Sequence, residues 1–422
     1  MKIKHYINCV ILKNKLRVVH VYIPDFPIAI SSFWVNAGSR FDPVNKEGLA
    51  HFFEHILTTR TKKYPNRNSR LIEIEKQGFL FNAHTGLEIV NYHISHDPEL
   101  TDGAIELLID GYENSIFLEK DIEEEKQIIV DEERRSKNNP KSYIWRLANT
   151  GIWPNSMLGS KFFGNEESIL KINSTDIENF YRNFYQTSNS AFLLINSIKD
   201  ISHILKNIED IDCQKSKISI QEDNLGKKKD IVFEERDIDY SQISCSFITT
   251  NYRNEEDVIV LDIIKNYLAS GWISRLITRA RIENKLTYWV DSASEQFGDT
   301  GYIRFFSSIN RNHTQEFLNI FEEEIKLLKS IKIKNSVLNN HKSKYISDLL
   351  RLSLNTDYLN LYYGTKTISS NNIPLLLQDK IDKILNTSPS QILQVANKYL
   401  NKANFSLAII GQTQEVNNIP NF

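Results

Sequence analysis

The sequence has few cysteines, no long apolar run and no excess of charge of one sign. Three cysteines in 422 residues cannot form a disulfide framework, and they stand too far apart for a cysteine-rich zinc knuckle: Cys9, Cys213 and Cys245. We interpret them as buried thiols in a reduced compartment. Apolar stretches such as residues 128–130 and 258–261 are far shorter than a membrane-spanning helix.

Charge and composition exclude further classes of protein. Lys and Arg number 51 against 53 Asp and Glu, and this balance draws the chain neither to nucleic acid nor to an anionic membrane. Apolar residues make up 41% and charged residues 25%, which excludes a disordered or collagen-like chain. Lys13, Lys15 and Arg17 interrupt the region where a signal peptide has its apolar core. We therefore expect a cytoplasmic protein with no signal peptide and no membrane partner.

Strand and helix patterns alternate along the chain. In the first half, the predicted strands are 6–12, 16–23, 29–35, 79–82, 88–95 and 191–195, and the predicted helices are 47–59, 67–77, 98–117, 119–136 and 173–184. In the second half, the predicted strands are 231–234, 241–249, 287–293, 301–308 and 405–410. A long helical zone is predicted over 257–285, and helices are predicted at 314–328, 334–352 and 389–399. The pattern predicts an α+β fold, with an antiparallel-rich sheet packed against helices.

Residues 215–230 are polar and weakly patterned, a composition typical of a linker. They divide the chain almost in half, and the order of strands and helix pairs before them recurs after them. The strands predicted at 191–195 and 405–410 close the two halves in equivalent positions. We therefore predict two tandem homologous domains, 1–214 and 231–422, joined by the linker 215–230.

The most informative motif is H-x-x-E-H, formed by His51, Glu54 and His55 in a predicted helix. At about 100° per residue, the two histidines lie roughly 40° apart on one face, where both can bind one tetrahedral zinc. Glu54 projects beside that face, where it could reach a water at the metal without binding the metal. The alternative is a pair of ordinary histidines on an amphipathic helix. Burying two histidines and a glutamate together without a purpose is costly, which favours the metal site.

A catalytic zinc needs a third protein ligand, and the predicted helix 119–136 offers two carboxylates. Ile122, Glu125, Ile129 and Glu132 are spaced by 3, 4 and 3 residues and share one stripe. A carboxylate that faces the core needs a cation or a metal-bound partner. Either Glu132 or Glu125 therefore fits the third ligand, and the other fits a carboxylate that orients a ligating histidine. Off the stripe lie Glu123, Glu124, Glu133 and Arg134, of which we interpret the first two as solvated.

These residues resemble the pitrilysin family of inverzincin metallopeptidases, which includes insulin-degrading enzyme and the mitochondrial processing peptidases. In that family 76 residues separate H-x-x-E-H from a ligating Glu, and 76 residues separate His55 from Glu132. The resemblance therefore implies that Glu132 is the third ligand of one zinc per chain. It places Glu125, seven residues earlier, at the family's second helix carboxylate. It also implies that Glu54 is the general base of a zinc endopeptidase.

Further segments of the first half extend the resemblance. The stretch from Ala37 to Arg40 is similar to the family's A-G-S-R, and residues 81–85 are similar to its F-N-A-x-T edge strand. The resemblance implies that Asn82 and Ala83 bind the substrate backbone. His84 occupies a variable position, and we do not expect it to bind the metal. The chain departs from the family at Thr59-Arg60, where Gly-Thr is common.

The second half carries a different pair of residues. Residues 274–276 are similar to the family's S-R-L, and Arg281 and Tyr288 match its R-x6-Y. An Arg and a Tyr at this spacing are common, so only the resemblance implies that they bind substrate and steady the scissile carbonyl. Thr287 departs from the Gly or Ala that usually precedes the Tyr.

The resemblance also implies an assembly and a substrate class. The family forms a clamshell of four such domains, so this chain is expected to be half of one, with an unfolded peptide or a presequence-like segment as substrate. Because the chain carries both residue sets, we expect a homodimer, and a heterodimer with a related chain is the alternative. The competing function is a non-catalytic or partner-dependent subunit, whose usual mark is a broken H-x-x-E-H. A third is a zinc hydrolase that acts on a non-peptide amide.

Overall fold

The structure is a computed structural model that describes residues 3–159, 164–212, 225–369, 373–412, 416 and 418–422. The chain forms two compact units. Unit 1 comprises Met1–Arg134, Lys161–Asp223 and Arg351–Gln378, and unit 2 comprises Arg135–Ser160, Asn224–Leu350 and Asp379–Phe422. Each unit contains one segment from the other half of the sequence. The division predicted at 215–230 did not anticipate this exchange. Of that predicted linker, residues 215–224 lie outside the described part of the chain.

The sheet of unit 1 has six strands in the order β1-β2-β6-β3-β5-β4. The strands are β1 (Tyr6–Ile11), β2 (Arg17–Tyr22), β3 (Ala29–Val35), β4 (Leu80–Thr85), β5 (Val90–His96) and β6 (Ser190–Asn196). β2 and β6 pair in parallel, and the other neighbours are antiparallel. β3, β5 and β6 are buried along their whole length, as expected of strands covered on both faces.

The sheet of unit 2 repeats this arrangement with one strand fewer, in the order β7-β11-β8-β10-β9. The strands are β7 (Ile231–Glu235), β8 (Tyr240–Thr249), β9 (Thr287–Gln296), β10 (Gly301–Asn310) and β11 (Phe405–Gly411). Its last strand, β11, lies parallel to β7 and antiparallel to β8, just as β6 of unit 1 lies parallel to β2 and antiparallel to β3. The predicted α+β architecture with two similar halves is confirmed, and each of these strands overlaps a predicted one.

Helices cover both sheets. They are α1 (Leu49–Leu57), α2 (Arg67–Lys76), α3 (Thr101–Asn114), α4 (Glu119–Asn138), α5 (Pro140–Ile152), α6 (Glu166–Leu170), α7 (Ser174–Phe184), α8 (Ser202–Glu209), α9 (Glu255–Ala269), α10 (Thr314–Ser330), α11 (Asn335–Leu352), α12 (Thr356–Ser369), α13 (Leu377–Asn386) and α14 (Pro389–Tyr399). The helical zone predicted over 257–285 is divided in the structure, since α9 ends at Ala269 and a separate π-helical segment spans Ile277–Glu283. Within the described residues, no helix is both long enough and apolar enough to cross a membrane.

In unit 1, α1, α3 and α7 bury one face of the sheet, and α12 packs on β3 and β6. α12 approaches closely because Gly364 has no side chain where it faces the fully buried Trp34. The Trp34 indole N–H donates to Ser32 Oγ at 2.9 Å, and Ser32 Oγ donates to Asn360 of α12 at 2.8 Å. A helix from the second half of the sequence therefore completes the burial of a sheet from the first half.

In unit 2, the exchanged helix is α5, which packs on β7, β8 and β11. Its apolar residues Ile144 and Ala148 join Phe306 in one buried cluster. The fully buried Arg304 of β10 ties it to the sheet, because its guanidinium donates to Asn149 Oδ1 at 2.8 Å and to Ser246 Oγ at 3.0 Å. Burial lowers the pKa of Arg304, so these hydrogen bonds compensate part of its lost hydration.

The contact between α12 and the sheet predicts the effect of one added methyl group. A Cβ on Gly364 would lie 2.0 Å from Trp34 ring atoms, which cannot move out of a packed core. We expect Gly364→Ala to lower the free energy of unfolding of the full chain by about 1–3 kcal/mol in denaturant titrations. The matched control is Gly103→Ala in α3, whose Cβ would lie 2.8 Å from Oε1 at the end of the Gln77 side chain and at an ordinary contact distance of 3.6 Å from Phe79. Equal stability of the two variants would contradict this account.

Candidate metal centre

The geometry of α1 is set at its N-terminus. Gly48 has φ of 93°, a left-handed backbone that favours glycine, and directly precedes the helix. The buried Asp42 carboxylate accepts the backbone N–H groups of Gly48 and Ala50, each at 2.7 Å. Asp42 therefore satisfies N–H groups that a helix start otherwise leaves without partners. This cap fixes where α1 begins and hence which of its residues face the sheet.

The side chains of the three predicted ligands, two from α1 and one from α4, lie close together. His51, His55 and Glu132 each offer one donor atom, and these atoms lie within 4.8 Å of one another. Glu132 Oε2 is 3.8 Å from His51 Nε2 and 3.6 Å from His55 Nε2. These separations are longer than hydrogen bonds. They approach the roughly 3.3 Å that separates two ligands of a tetrahedral zinc, so this donor set fits zinc.

The protonation of His51 also suits a metal ligand. Burial, with the neighbouring His55 and His84, lowers the pKa of His51 to about 3. The imidazole is therefore neutral at physiological pH and has a lone pair for a metal. His84 is not part of the donor cluster, as the sequence analysis expected.

His55 is held by a carboxylate on its other ring nitrogen. His55 Nδ1 lies 2.8 Å from Glu125 Oε1, which leaves Nε2 directed towards Glu132. Burial raises the pKa of Glu125. The hydrogen bond with His55 and the charge of Arg67 together lower the pKa by a larger amount, so the net effect is a lowered pKa. Arg67 donates to the second Glu125 oxygen at 2.6 Å. Glu125 is thus an anion that orients His55, the role predicted for the carboxylate behind a ligand.

Glu54 lies beside the donor cluster without joining it. Burial raises the pKa of Glu54, while a hydrogen bond from the Thr85 hydroxyl to Glu54 Oε2 lowers it, with a net rise. Thr85 is the last residue of β4, so the sheet fixes the orientation of the Glu54 side chain. A half-buried carboxylate with a raised pKa next to metal donors can accept and return a proton.

Thr59 and Arg60, which stand after α1 where Gly-Thr is common in the family, have a structural role. The Thr59 hydroxyl donates to the His55 carbonyl at 2.9 Å and accepts from Arg67 at 3.1 Å. Arg60 forms a salt bridge of 2.7 Å with Asp121 in the first turn of α4. Both residues therefore tie α1 to the residues that face it. Along α4, Glu123 and Glu124 are exposed as predicted, whereas Glu133, which lies off the predicted stripe, is buried.

The predicted substrate-binding residues lie on β4, at the edge of the sheet next to α1. Phe81, Ala83 and Thr85 face the core and Glu54, so Asn82 and His84 point to the opposite face. The Asn82 side chain accepts the N–H of Ala83 at 2.9 Å, which marks that N–H as one turned away from β5. In the described residues no strand pairs with this outer edge of β4.

Arg281 and Tyr288 come together in unit 2. Arg281 lies in the π-helical segment, and its guanidinium carbon is 4.4 Å from the centroid of the Tyr288 ring. Tyr288 lies near the start of β9, the edge strand that corresponds to β4, and is 78% exposed. The spacing of seven residues therefore brings the two side chains into contact.

Sequence reasoning did not assign roles to Asp42, Arg67 and Thr85. Thr85 could have been found, because it follows Ala83 by two residues and so shares its face of the strand. Nothing local marks Asp42 or Arg67, whose partners are Gly48 and Ala50 for the first and Glu125 for the second.

The sequence matches two models of one protein family. Residues 17–165 match the model of the insulinase family, peptidase family M16, and residues 171–345 match the model described as the peptidase M16 inactive domain. The chain belongs to peptidase family M16. The donor cluster falls within the first of these two matched regions and the Arg281–Tyr288 pair within the second.

Proteins with similar sequences are named as zinc proteases or as a subunit of a peptidase. An uncharacterized zinc protease of Rickettsia bellii is 24% identical over 97% of this chain and 98% of its own length. The zinc protease YmxG of Bacillus subtilis, also uncharacterized, is 22% identical over 94% of this chain and 96% of its own. The beta subunit of the mitochondrial-processing peptidase of Bos taurus is 30% identical over 42% of this chain and 35% of its own.

Solved structures of M16 proteins share the fold. A protease from Helicobacter pylori superimposes with a TM-score of 0.87 at 21% identity, covering 97% of this chain and all of that one. A Pseudomonas fluorescens protein described as a peptidase M16 inactive domain gives 0.85 at 16% identity, covering 96% and 98%. At these identities the likeness establishes the fold and not the activity.

The hydrogen bond between His55 and Glu125 predicts a change in zinc affinity. We expect Glu125→Gln to weaken zinc binding by about 10- to 100-fold, because the amide cannot hold the imidazole as an anion does. Competition with a chromophoric chelator measures the dissociation constant, and circular dichroism checks folding. The control is Glu124→Gln, an exposed carboxylate on the same helix. Wild-type affinity in the Glu125 variant would show that Glu125 does not orient the ligand.

Proposed function

We propose that the chain is a zinc-dependent endopeptidase that hydrolyses unfolded peptides or leader-like segments. The observation that carries this proposal is the convergence of His51, His55 and Glu132 beside a separate carboxylate, Glu54. Three ligands leave one position of a tetrahedral zinc open, as in catalytic sites. Membership of the M16 peptidase family and the zinc proteases among the relatives support the same activity.

The proposed mechanism assigns one task to each side chain. His51, His55 and Glu132 would hold a zinc ion, which supplies Lewis acidity towards water and towards a carbonyl oxygen. Glu54 accepts a proton from the attacking water and later returns it to the leaving amine. Thr85 keeps the Glu54 carboxylate in place through its hydrogen bond.

Substrate binding is proposed at the outer edge of β4. An extended peptide can add to an open sheet edge as a further strand, paired through backbone hydrogen bonds. The Ala83 N–H faces that edge but is engaged by Asn82, so an incoming peptide carbonyl would displace the Asn82 amide. On resemblance to the family, Arg281 and Tyr288 would donate hydrogen bonds to the peptide near the scissile carbonyl.

Cleavage of an unstructured peptide tests the proposal. Purified protein should contain about one zinc per chain and should cleave a peptide of about 20 residues in a chelator-sensitive manner. Glu54→Gln should keep its zinc and lose at least about 10²-fold in kcat, the size of general acid–base catalysis. Glu124→Gln, on the helix that carries Glu132, is the control for an unrelated loss of charge. Normal cleavage by the Glu54 variant would show that Glu54 is not the base.

The bond between Thr85 and Glu54 predicts a shift in the pH profile. Glu54 must be ionised to act as a base, so activity falls as the pH drops through its pKa. Because the Thr85 hydroxyl lowers that pKa, Thr85→Val should raise it and move the acidic limb of kcat/KM to higher pH. Thr85→Ser keeps a hydroxyl and should retain the wild-type limb. A profile that is the same in all three proteins would contradict the assignment.

We also propose that the active form is a homodimer, because one chain carries both the metal donors and the Arg281–Tyr288 pair. Sedimentation velocity at the concentrations used for activity measures the assembly. An active monomer would contradict this part of the proposal.

A second candidate is a non-catalytic or partner-dependent subunit. It is favoured by the match of residues 171–345 to a model described as an inactive domain. The intact H-x-x-E-H weighs against it. Zinc binding without cleavage of any unstructured peptide would favour this alternative over the peptidase.

A further inference from the structure

The Arg281 guanidinium contacts two aromatic rings, of which only Tyr288 was predicted from the sequence. Its guanidinium carbon lies 4.3 Å from the centroid of the Trp272 ring and 4.4 Å from that of Tyr288. Both distances are in the range of favourable cation–π contacts, for which tryptophan is the best partner. We call Trp272, Arg281 and Tyr288 the aromatic clamp.

The clamp stands at the surface although it consists largely of apolar atoms. Trp272 is 65% exposed and Tyr288 is 78% exposed. Neighbouring Ile273 and Ile282 are each 52% exposed. Exposed apolar side chains that adjoin one another are typical of a surface that binds another molecule.

The N–H groups of the guanidinium within the clamp have no acceptor among the described residues. In the described part of the chain, the Arg281 side chain makes no hydrogen bond and no ion pair. Arg275, just before the π-helical segment, and Arg279, within it, are both bound to the buried carboxylate of Glu324, at 2.8 Å and 3.2 Å. The two rings contact the guanidinium through its central carbon without accepting conventional hydrogen bonds, so its N–H groups remain available to acceptors.

The backbone on both sides of Trp272 and Arg281 is anchored. Glu324 holds the π-helical segment through Arg275 and Arg279, and the N–H of Leu286 bonds to the carbonyl of Ala280 at 2.8 Å. Gly271 has φ of 80°, and this left-handed turn directly precedes Trp272. The backbone that carries Trp272 and Arg281 is therefore fixed, and the contact with Trp272 is one that the Arg281 side chain makes from this fixed backbone.

We propose that Trp272 is a positioning residue that holds the Arg281 guanidinium against Tyr288, so that its free N–H groups face the backbone carbonyls of an extended peptide. The proposal rests on the peptidase function proposed above, because it deepens the role of Arg281 there. A long arginine side chain that is already ordered loses less conformational entropy when it binds. Trp272 therefore contributes to peptide binding without touching the reacting atoms.

A double-mutant cycle tests the proposal in the zinc-loaded Glu54→Gln background, where a bound peptide should stay intact. The probe is a fluorescein-labelled unstructured peptide of about 20 residues, and anisotropy gives its Kd. We expect Trp272→Ala to weaken binding about two- to fivefold, the size of one exposed cation–π contact, and Trp272→Phe to restore most of it. In an Arg281→Ala background, Trp272→Ala should have no further effect.

The control for this cycle is Ile331→Ala, an exposed isoleucine directly after α10 that belongs neither to the clamp nor to its apolar neighbours, and this variant should bind as the parent does. An unchanged Kd in Trp272→Ala would overturn the proposal. An equal loss with and without Arg281 would do the same, since Trp272 would then act through some other group.

A second measurement does not depend on peptide binding. In the NMR spectrum of the ¹⁵N-labelled protein, Arg281→Lys identifies the Nε–Hε resonance of Arg281. We expect Trp272→Ala to shift this resonance, because the ring current of the indole is lost, and Ile273→Ala to leave it in place. An unshifted resonance would overturn the clamp. If the parent protein binds no peptide, the proposed function fails, and this spectrum alone decides whether Trp272 holds Arg281.

Discussion

A buried ionic contact between α1 and α4 constrains the rest of unit 1. Glu125 is almost fully buried, and a carboxylate tolerates such burial only where hydrogen bonds and opposite charge replace its water. His55 and Arg67 provide both. Because their bonds fix the rotation of α4 about its axis, Glu132, two turns further along, faces the two histidines. The positions of the metal donors therefore depend on the Glu125 contact, in which His55 is the only metal donor that takes part.

The two units have the same strand order but carry different chemistry. In each sheet the last strand runs parallel to an early one and antiparallel to the next, so the backbone plan is a repeat. The edge strand of one sheet, β4, positions the carboxylate beside the metal donors through Thr85, and the edge strand of the other, β9, carries Tyr288. Within the described residues, the donor cluster occurs in unit 1 alone. The two sheets therefore have equivalent edge strands, and these strands carry different side chains.

The exchanged helices make the two halves of the sequence depend on each other. α5 follows the metal-binding segments in sequence but packs on the sheet of unit 2, and α12 packs on the sheet of unit 1. Since a sheet face without a covering layer exposes its apolar residues to water, neither half of the sequence can bury both faces of its own sheet. The M16 family models meet between residues 165 and 171, and the segment of α5 belongs to the first model although it packs in the second unit.

Local patterns predicted the strands, α1 and α4, and the set His51, Glu54 and His55, because periodicity and motif spacing are properties of short segments and of helix geometry. The choice of Glu132 over Glu125 and the pairing of Arg281 with Tyr288 rested instead on the resemblance to the family. Only the tertiary structure decided that Thr85 holds Glu54, that Arg67 and His55 share Glu125, and that Trp272 covers Arg281. It also decided the exchange of α5 and α12. The physical reason is the same in each case: hydrogen bonds, stacking and helix–sheet burial join residues whose separation in the chain leaves no local trace.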